Sequence, residues 1–130
     1  MKPFLFLPAI VLVFLFSACN SGPGPGGQAS ITGKIYAYNY NGTCTILSGE
    51  FYAPDEDVYL IYGDDPSYGD KVKSAPDGTF VFRYLRKGKY KVYCYSKDCS
   101  LPAGKKAVTV DVEITDKKQD VVVDDLKINK

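Results

Sequence analysis

Histidine and tryptophan are both absent from this 130-residue chain, and that removes much of the chemistry a small protein can do. No Ser-His-Asp triad, imidazole acid–base pair or His-ligated zinc can be built from it. The groups that remain are carboxylates, tyrosines and four cysteines, Cys19, Cys44, Cys94 and Cys99. Asp55, Glu56 and Asp57 form one acidic group, and Asp64, Asp65 and Asp70 a second. Calcium needs several oxygens held by a tight loop, and these residues have no EF-hand spacing, so solvated turns are their expected role. Asp124-Asp125 is a carboxylate pair with no second catalytic group beside it. The inventory yields no catalytic residue, no metal ligand and no cofactor site.

The tyrosines are more suggestive. The chain has eleven, clustered between Tyr36 and Tyr95. Tyr36, Tyr38, Tyr59, Tyr93 and Tyr95 fall on the outward phase of alternating segments. Aromatic rings on an exposed sheet face can stack on sugars or on a partner protein. The competing expectation is that both faces of some strands are partly buried and tyrosine serves as a good strand former.

The first 19 residues carry a different chemistry. Lys2 precedes an apolar run from Phe4 to Phe16 broken only by Pro8, and Ser17, Ala18 and Cys19 follow. A basic start, an apolar middle and small residues before a cleavage point make a secretory signal. The run is also shorter than the roughly 20 residues a spanning helix needs. Leu15-Phe16-Ser17-Ala18-Cys19 resembles the lipobox of bacterial lipoproteins, with Phe16 where that family usually has leucine. The resemblance implies cleavage before Cys19, a diacylglycerol on its sulfur and an acyl chain such as palmitate on its amine. Several chains anchor stably where one does not, since each buried methylene adds about 0.8 kcal/mol. Asn20 is not the aspartate of inner-membrane retention. The expected location is therefore the outer membrane facing the periplasm, with surface exposure the alternative.

With Cys19 acylated, Cys44, Cys94 and Cys99 remain in an oxidising compartment, which suggests one disulfide and one free thiol. Cys94–Cys99 would bridge a strand end to the next turn. Cys44–Cys99 would close a long loop and constrain the unfolded chain more. Spacing alone does not choose between them.

These groups must be positioned by strands. Asn20 to Gln28 holds only Asn, Gly, Pro, Ser and Gln and is expected to be a disordered tether. Residues 1–18 are then the signal, 19–29 the anchor and tether, and 30–130 the domain. Ile31, Gly33, Ile35 and Ala37 alternate with Thr32, Lys34, Tyr36 and Tyr38, as a half-buried strand requires. Asn41-Gly42 marks a turn, and a second strand follows toward Phe51 or Tyr52. Val58, Leu60 and Tyr62 share a face, and Phe80, Phe82 and Tyr84 share another. Tyr90, Val92 and Cys94 point inward, as do Val108, Val110, Val112 and Ile114. The phase across Val121-Val122-Val123 is ambiguous. No segment carries a helical stripe. About seven short strands separated by turns indicate an all-β, Ig-like sandwich.

Asp77-Gly78-Thr79-Phe80-Val81-Phe82 and Gly88-Lys89-Tyr90-Lys91-Val92 sharpen this. With Ile31-Thr32-Gly33-Lys34-Ile35, they resemble the carboxypeptidase regulatory-like domains, a transthyretin-like branch of sandwiches. The resemblance covers about Ile31 to Ile128 and implies the fold while saying little of function.

The net charge of +1 steers the chain toward neither nucleic acid nor an anionic membrane surface, and Lys105-Lys106 and Lys117-Lys118 are expected as solvated turns or edges rather than a binding patch. The expected function is a non-catalytic envelope lipoprotein domain that meets the membrane through its anchor and binds a protein or glycan, or serves structurally. The alternative is a small carboxylate- and tyrosine-based enzyme, which would need a closed pocket with converging carboxylates.

Overall fold

The computed structural model describes residues 22–130. The expected signal sequence and the expected lipidation of Cys19 lie outside the described residues. Nine strands follow one another: β1 Pro25–Tyr40, β2 Leu47–Tyr52, β3 Asp57–Tyr62, β4 Asp70–Lys73, β5 Thr79–Leu85, β6 Gly88–Lys97, β7 Lys105–Ile114, β8 Asp120–Val122 and β9 Leu126–Asn129. They form two sheets, one built around β1 and one of order β4-β3-β6-β7. The all-β sandwich expected from the alternation is therefore present, with nine strands in place of about seven.

β1 organises the first sheet. Ile35 accepts a hydrogen bond from Ala53 N and donates one to Gly78 O, both at 2.9 Å. One residue's N–H and C=O point the same way in a strand, so β2 and β5 lie end to end along one edge of β1. β8 and β9 run parallel to β1 along the other edge, pairing Ile31 with Val121 and Ala37 with Ile128. The ambiguous final run is thus two strands, broken at Val123–Asp125. β4 was not expected: it lies just beyond the acidic turns and pairs with β3 through Tyr59 and Lys71.

The alternation in β1 buries Ile31, Ile35 and Ala37 against Val58, Leu60, Tyr90, Val92, Cys94, Val112 and Ile114 of the other sheet. Phe80 and Phe82 add the bulk of the core, their rings 6.0 Å apart and edge to face. Gly33 stands on this inner face because a Cβ there would lie 2.5 Å from the Phe80 ring. Val108 and Val110 are only half-buried, because β7 is the edge of its sheet. Ser74, fully enclosed at the β4–β5 crossover, donates to Ala53 O at 2.6 Å and accepts from Glu56 N at 2.9 Å. A buried hydroxyl satisfied on both sides costs little and holds the crossover in place.

Two expectations about the core are corrected. Tyr84 does not follow Phe80 and Phe82 inward: it is 72% exposed, and Leu85 takes the buried position. Ala29 pairs with Leu85 and Ile31 with Phe82, so β5 carries one extra residue there, a bulge that shifts the phase. The expected tether also changes. β1 begins at Pro25, and Gly24 is buried, donating its N–H to the Tyr90 hydroxyl at 2.8 Å. Residues 22–29 belong to the domain. Composition suggested disorder through Gln28 because those residues bring almost no apolar side chain to bury; residues 22–28 are held instead by hydrogen bonds to their backbone groups and by close backbone packing, and Ala29 is fully buried.

Candidate functional site

The five tyrosines singled out by phase do face outward, but in two separate groups on opposite sheets. Tyr36 and Tyr38 lie on β1. Tyr59, Tyr93 and Tyr95 lie on β3 and β6. A single tyrosine layer is therefore not formed, because β1 and β6 belong to different sheets.

On the first sheet Tyr36 pairs across strands with Tyr52 and Tyr38 with Glu50. The Tyr36 and Tyr52 rings meet edge to face at 5.0 Å, and Tyr36 and Tyr38 at 5.5 Å. The Tyr36 hydroxyl donates to Glu50 Oε2 at 2.9 Å, and the Tyr52 hydroxyl donates to Asp125 Oδ2 at 3.0 Å. Each phenol is pushed above its ordinary pKa, chiefly by that hydrogen bond, so both remain neutral donors. Lys34 Nζ sits 4.9 Å from the centre of the Tyr52 ring. Tyr52 is 42% exposed. The result is an apolar platform of three rings bordered by two carboxylates and one ammonium, all oriented by hydrogen bonds or ring contacts.

On the second sheet Tyr59 and Tyr93 stack nearly parallel, 4.8 Å apart, as direct cross-strand partners. Tyr68, from the turn after β3, meets Tyr59 edge-on at 4.9 Å, and Tyr95 closes against Tyr93 at 5.8 Å. Lys105 stands 4.6 Å from the Tyr95 ring centre and Lys71 6.0 Å from that of Tyr59. Burial among the other rings raises the Tyr93 pKa. The two central rings, Tyr59 and Tyr93, cover each other's faces, while Tyr68 and Tyr95 at the edge of the cluster stay exposed.

Tyr52, Tyr68 and Glu50 were not found as site residues from the sequence, and Asp125, known there only as half of a carboxylate pair, was not placed beside the tyrosines. Tyr52 and Glu50 depend on the register of β2, which follows a turn whose length Asn41-Gly42 alone does not give. Tyr68 sits in a turn, outside any alternating pattern.

The cysteine alternatives resolve as Cys44–Cys99, 55 residues apart in sequence. Cys94 is free and buried, and burial pushes its thiol up to about 12. The disulfide ties the β1–β2 loop to the β6–β7 loop at one pole, where Lys97 Nζ also donates to Asn41 O at 2.9 Å. The acidic turns remain spread out: among the described residues no three His, Cys, Asp or Glu side chains converge on a possible metal position. Asp64, Asp111 and Glu113 border one open cleft of about 410 Å³ with Lys89 and Lys91.

No known family model matches the chain, and no curated protein matches it in sequence. Solved structures to which the chain is similar include these two. A Pseudomonas aeruginosa protein described as a candidate carbohydrate-binding protein is 14% identical over 78% of this chain and 90% of that one, with a TM-score of 0.45. The major pilin subunit of Bacillus cereus is 14% identical over 75% of this chain and 29% of the pilin, with a TM-score of 0.41. Likeness at this level bears on neither ligand nor partner.

Proposed function

We propose that this chain is a lipid-anchored, non-catalytic envelope module that binds a glycan on the outer face of its first sheet. The observation that carries the reading is the Tyr36–Tyr38–Tyr52 platform with its oriented Glu50 and Asp125. A sugar ring presents an apolar face of C–H groups and a rim of hydroxyls. Tyrosine rings suit the face, and carboxylate oxygens accept from the rim. Tyrosine brings a large contact area at low conformational cost, and its partners here are already held by hydrogen bonds, which lowers the ordering penalty of binding. The Tyr59–Tyr93 cluster fits this role less well because its rings stack on one another. The inward placement of Phe80, Phe82, Tyr90 and Val92 supports the resemblance to the carboxypeptidase regulatory-like sandwiches, which leaves the ligand open.

The test is calorimetric titration with oligosaccharides released from the cell envelope. Wild type should bind, Tyr36→Ala/Tyr52→Ala should lose at least tenfold in affinity, and Tyr93→Ala/Tyr95→Ala should change little. Equal binding by all three folded proteins, or loss only in the second pair, would remove the first face from the account.

A further inference from the structure

The chain enters the domain at the pole opposite the disulfide, and it enters tightly held. Gly22 O accepts from Arg86 Nε at 2.8 Å, and Gly24 O accepts from Arg86 N at 2.9 Å. The Tyr90 hydroxyl reaches Arg86 O at 2.6 Å and the Gly24 N–H at 2.8 Å. Pro23 lies against Gly88, where a Cβ would come within 2.8 Å of it. These contacts close the end of the sandwich between the two sheets. Gly22 is only three positions after Cys19. Three extended residues span about 10 Å at most. A lipid on Cys19 therefore keeps this pole within roughly one headgroup layer of the bilayer surface, far closer than a nine-residue tether would.

The pole has the chemistry for that position. Arg83 and Tyr84 stand at the β5 bulge, Arg86 and Lys87 in the β5–β6 turn, and Lys117 and Lys118 in the turn after β7. Among the described residues, none of these five cations forms an ion pair. Arg86, Lys87 and Lys117 line a shallow cleft with the Gly26–Gln28 bulge of β1. Gly27 is obligatory there, since a Cβ would lie 2.0 Å from Leu85 O. Tyr84 is the most exposed tyrosine of those named, at 72%, and its φ of +59° is a region that bulky residues rarely adopt. The bulge thus turns an aromatic ring outward beside unpaired cations.

We infer that this pole is a lipid-docking surface: Arg83, Arg86, Lys87 and Lys117 meet the anionic headgroups of the membrane that holds Cys19, and Tyr84 sits at headgroup depth. Tyrosine suits that interface, with an apolar body and a polar tip, and each basic residue near an anionic surface is drawn to it. The inference rests on the reading of Cys19 as a lipid anchor. It fixes the orientation of the domain, with the disulfide pole pointing away from the membrane.

The chain has no tryptophan, so an introduced one reports alone. Full-length protein carrying Tyr84→Trp, or Leu101→Trp at the disulfide pole, is reconstituted into phosphatidylglycerol/phosphatidylethanolamine vesicles with a headgroup-level spin-labelled lipid as quencher. Quenching of Tyr84→Trp should exceed that of Leu101→Trp at least threefold. It should fall by half or more when Lys87→Glu/Lys117→Glu is added or when phosphatidylcholine replaces the anionic lipid. Equal quenching of the two tryptophans in protein that floats with the vesicles would overturn the docking while leaving the anchor intact. Flotation with unchanged quenching after the charge reversal would show that tether length alone brings the pole close, which also overturns a headgroup site. Intact mass without acyl groups on Cys19 would sink the anchor reading itself, and with it this orientation.

Discussion

Cys94 shows how burial sets the behaviour of a single reactive group. The thiol is enclosed in the core opposite Val108 in the β6–β7 register, and desolvation first, with the Glu56 charge second, raises its pKa from 9.0 to about 12. Only the thiolate is nucleophilic, so Cys94 should resist alkylation by iodoacetamide at pH 8 and react fully once the chain is unfolded. Labelling of native protein at the rate of an unfolded control would show that the side chain is not enclosed. The same shift has a sign in stability. A group whose folded pKa is raised contributes most below its unfolded value and loses that contribution as pH rises. Stability should therefore decline between about pH 9 and 12, and Cys94→Ala should make that decline shallower in denaturant titrations. Phe82 makes the simpler test of the core: Phe82→Ala should cost about 3 to 5 kcal/mol through lost burial and a cavity. A denaturant midpoint that barely moves would contradict its placement.

Strands were legible where a period of two runs unbroken, and illegible where the chain departs from it. Ile31 to Ala37 and Tyr90 to Cys94 alternate in sequence and alternate in burial. Tyr84 breaks the pattern because one extra residue in β5 reverses the phase between Phe82 and Leu85, and nothing in Phe-Arg-Tyr-Leu announces it. Residues 22–28 were misjudged for the opposite reason. Their order comes from backbone groups, which composition does not report. Both places are sensitive to substitution in opposite directions. Tyr84→Gly relieves a left-handed backbone and removes little packing, so it should hold stability or raise it, by up to about 1 kcal/mol after the added unfolded-state freedom is counted. Gly27→Ala pushes a methyl into Leu85 O and should lower it clearly. The reverse ordering of these two variants in a thermal melt would show that the bulge geometry is wrong.

The whole molecule is a sandwich closed differently at its two poles. At one, the entering chain is pinned by Tyr90 and Arg86. At the other, Cys44–Cys99 joins loops from the two sheets and closes 55 residues, a loop whose cross-link contributes about 4 kcal/mol on chain-entropy grounds. Cys44→Ala/Cys99→Ala should lose stability of that order in urea, and no loss would mean the bond forms without constraining the fold. Between the poles lie the two tyrosine faces. Their outward phase was legible residue by residue, while their division between sheets depended on strand order and on the register of β2, which local sequence does not encode. The central claim is that the first of these faces holds a sugar. It is tested most directly by titrating isotopically labelled protein with envelope oligosaccharides and following backbone and ring resonances. The account expects shifts concentrated at Tyr36, Tyr38, Glu50, Tyr52 and Asp125, with the Tyr59, Tyr93 and Tyr95 signals unmoved. Shifts confined to the second face, or none at saturating sugar, would contradict it.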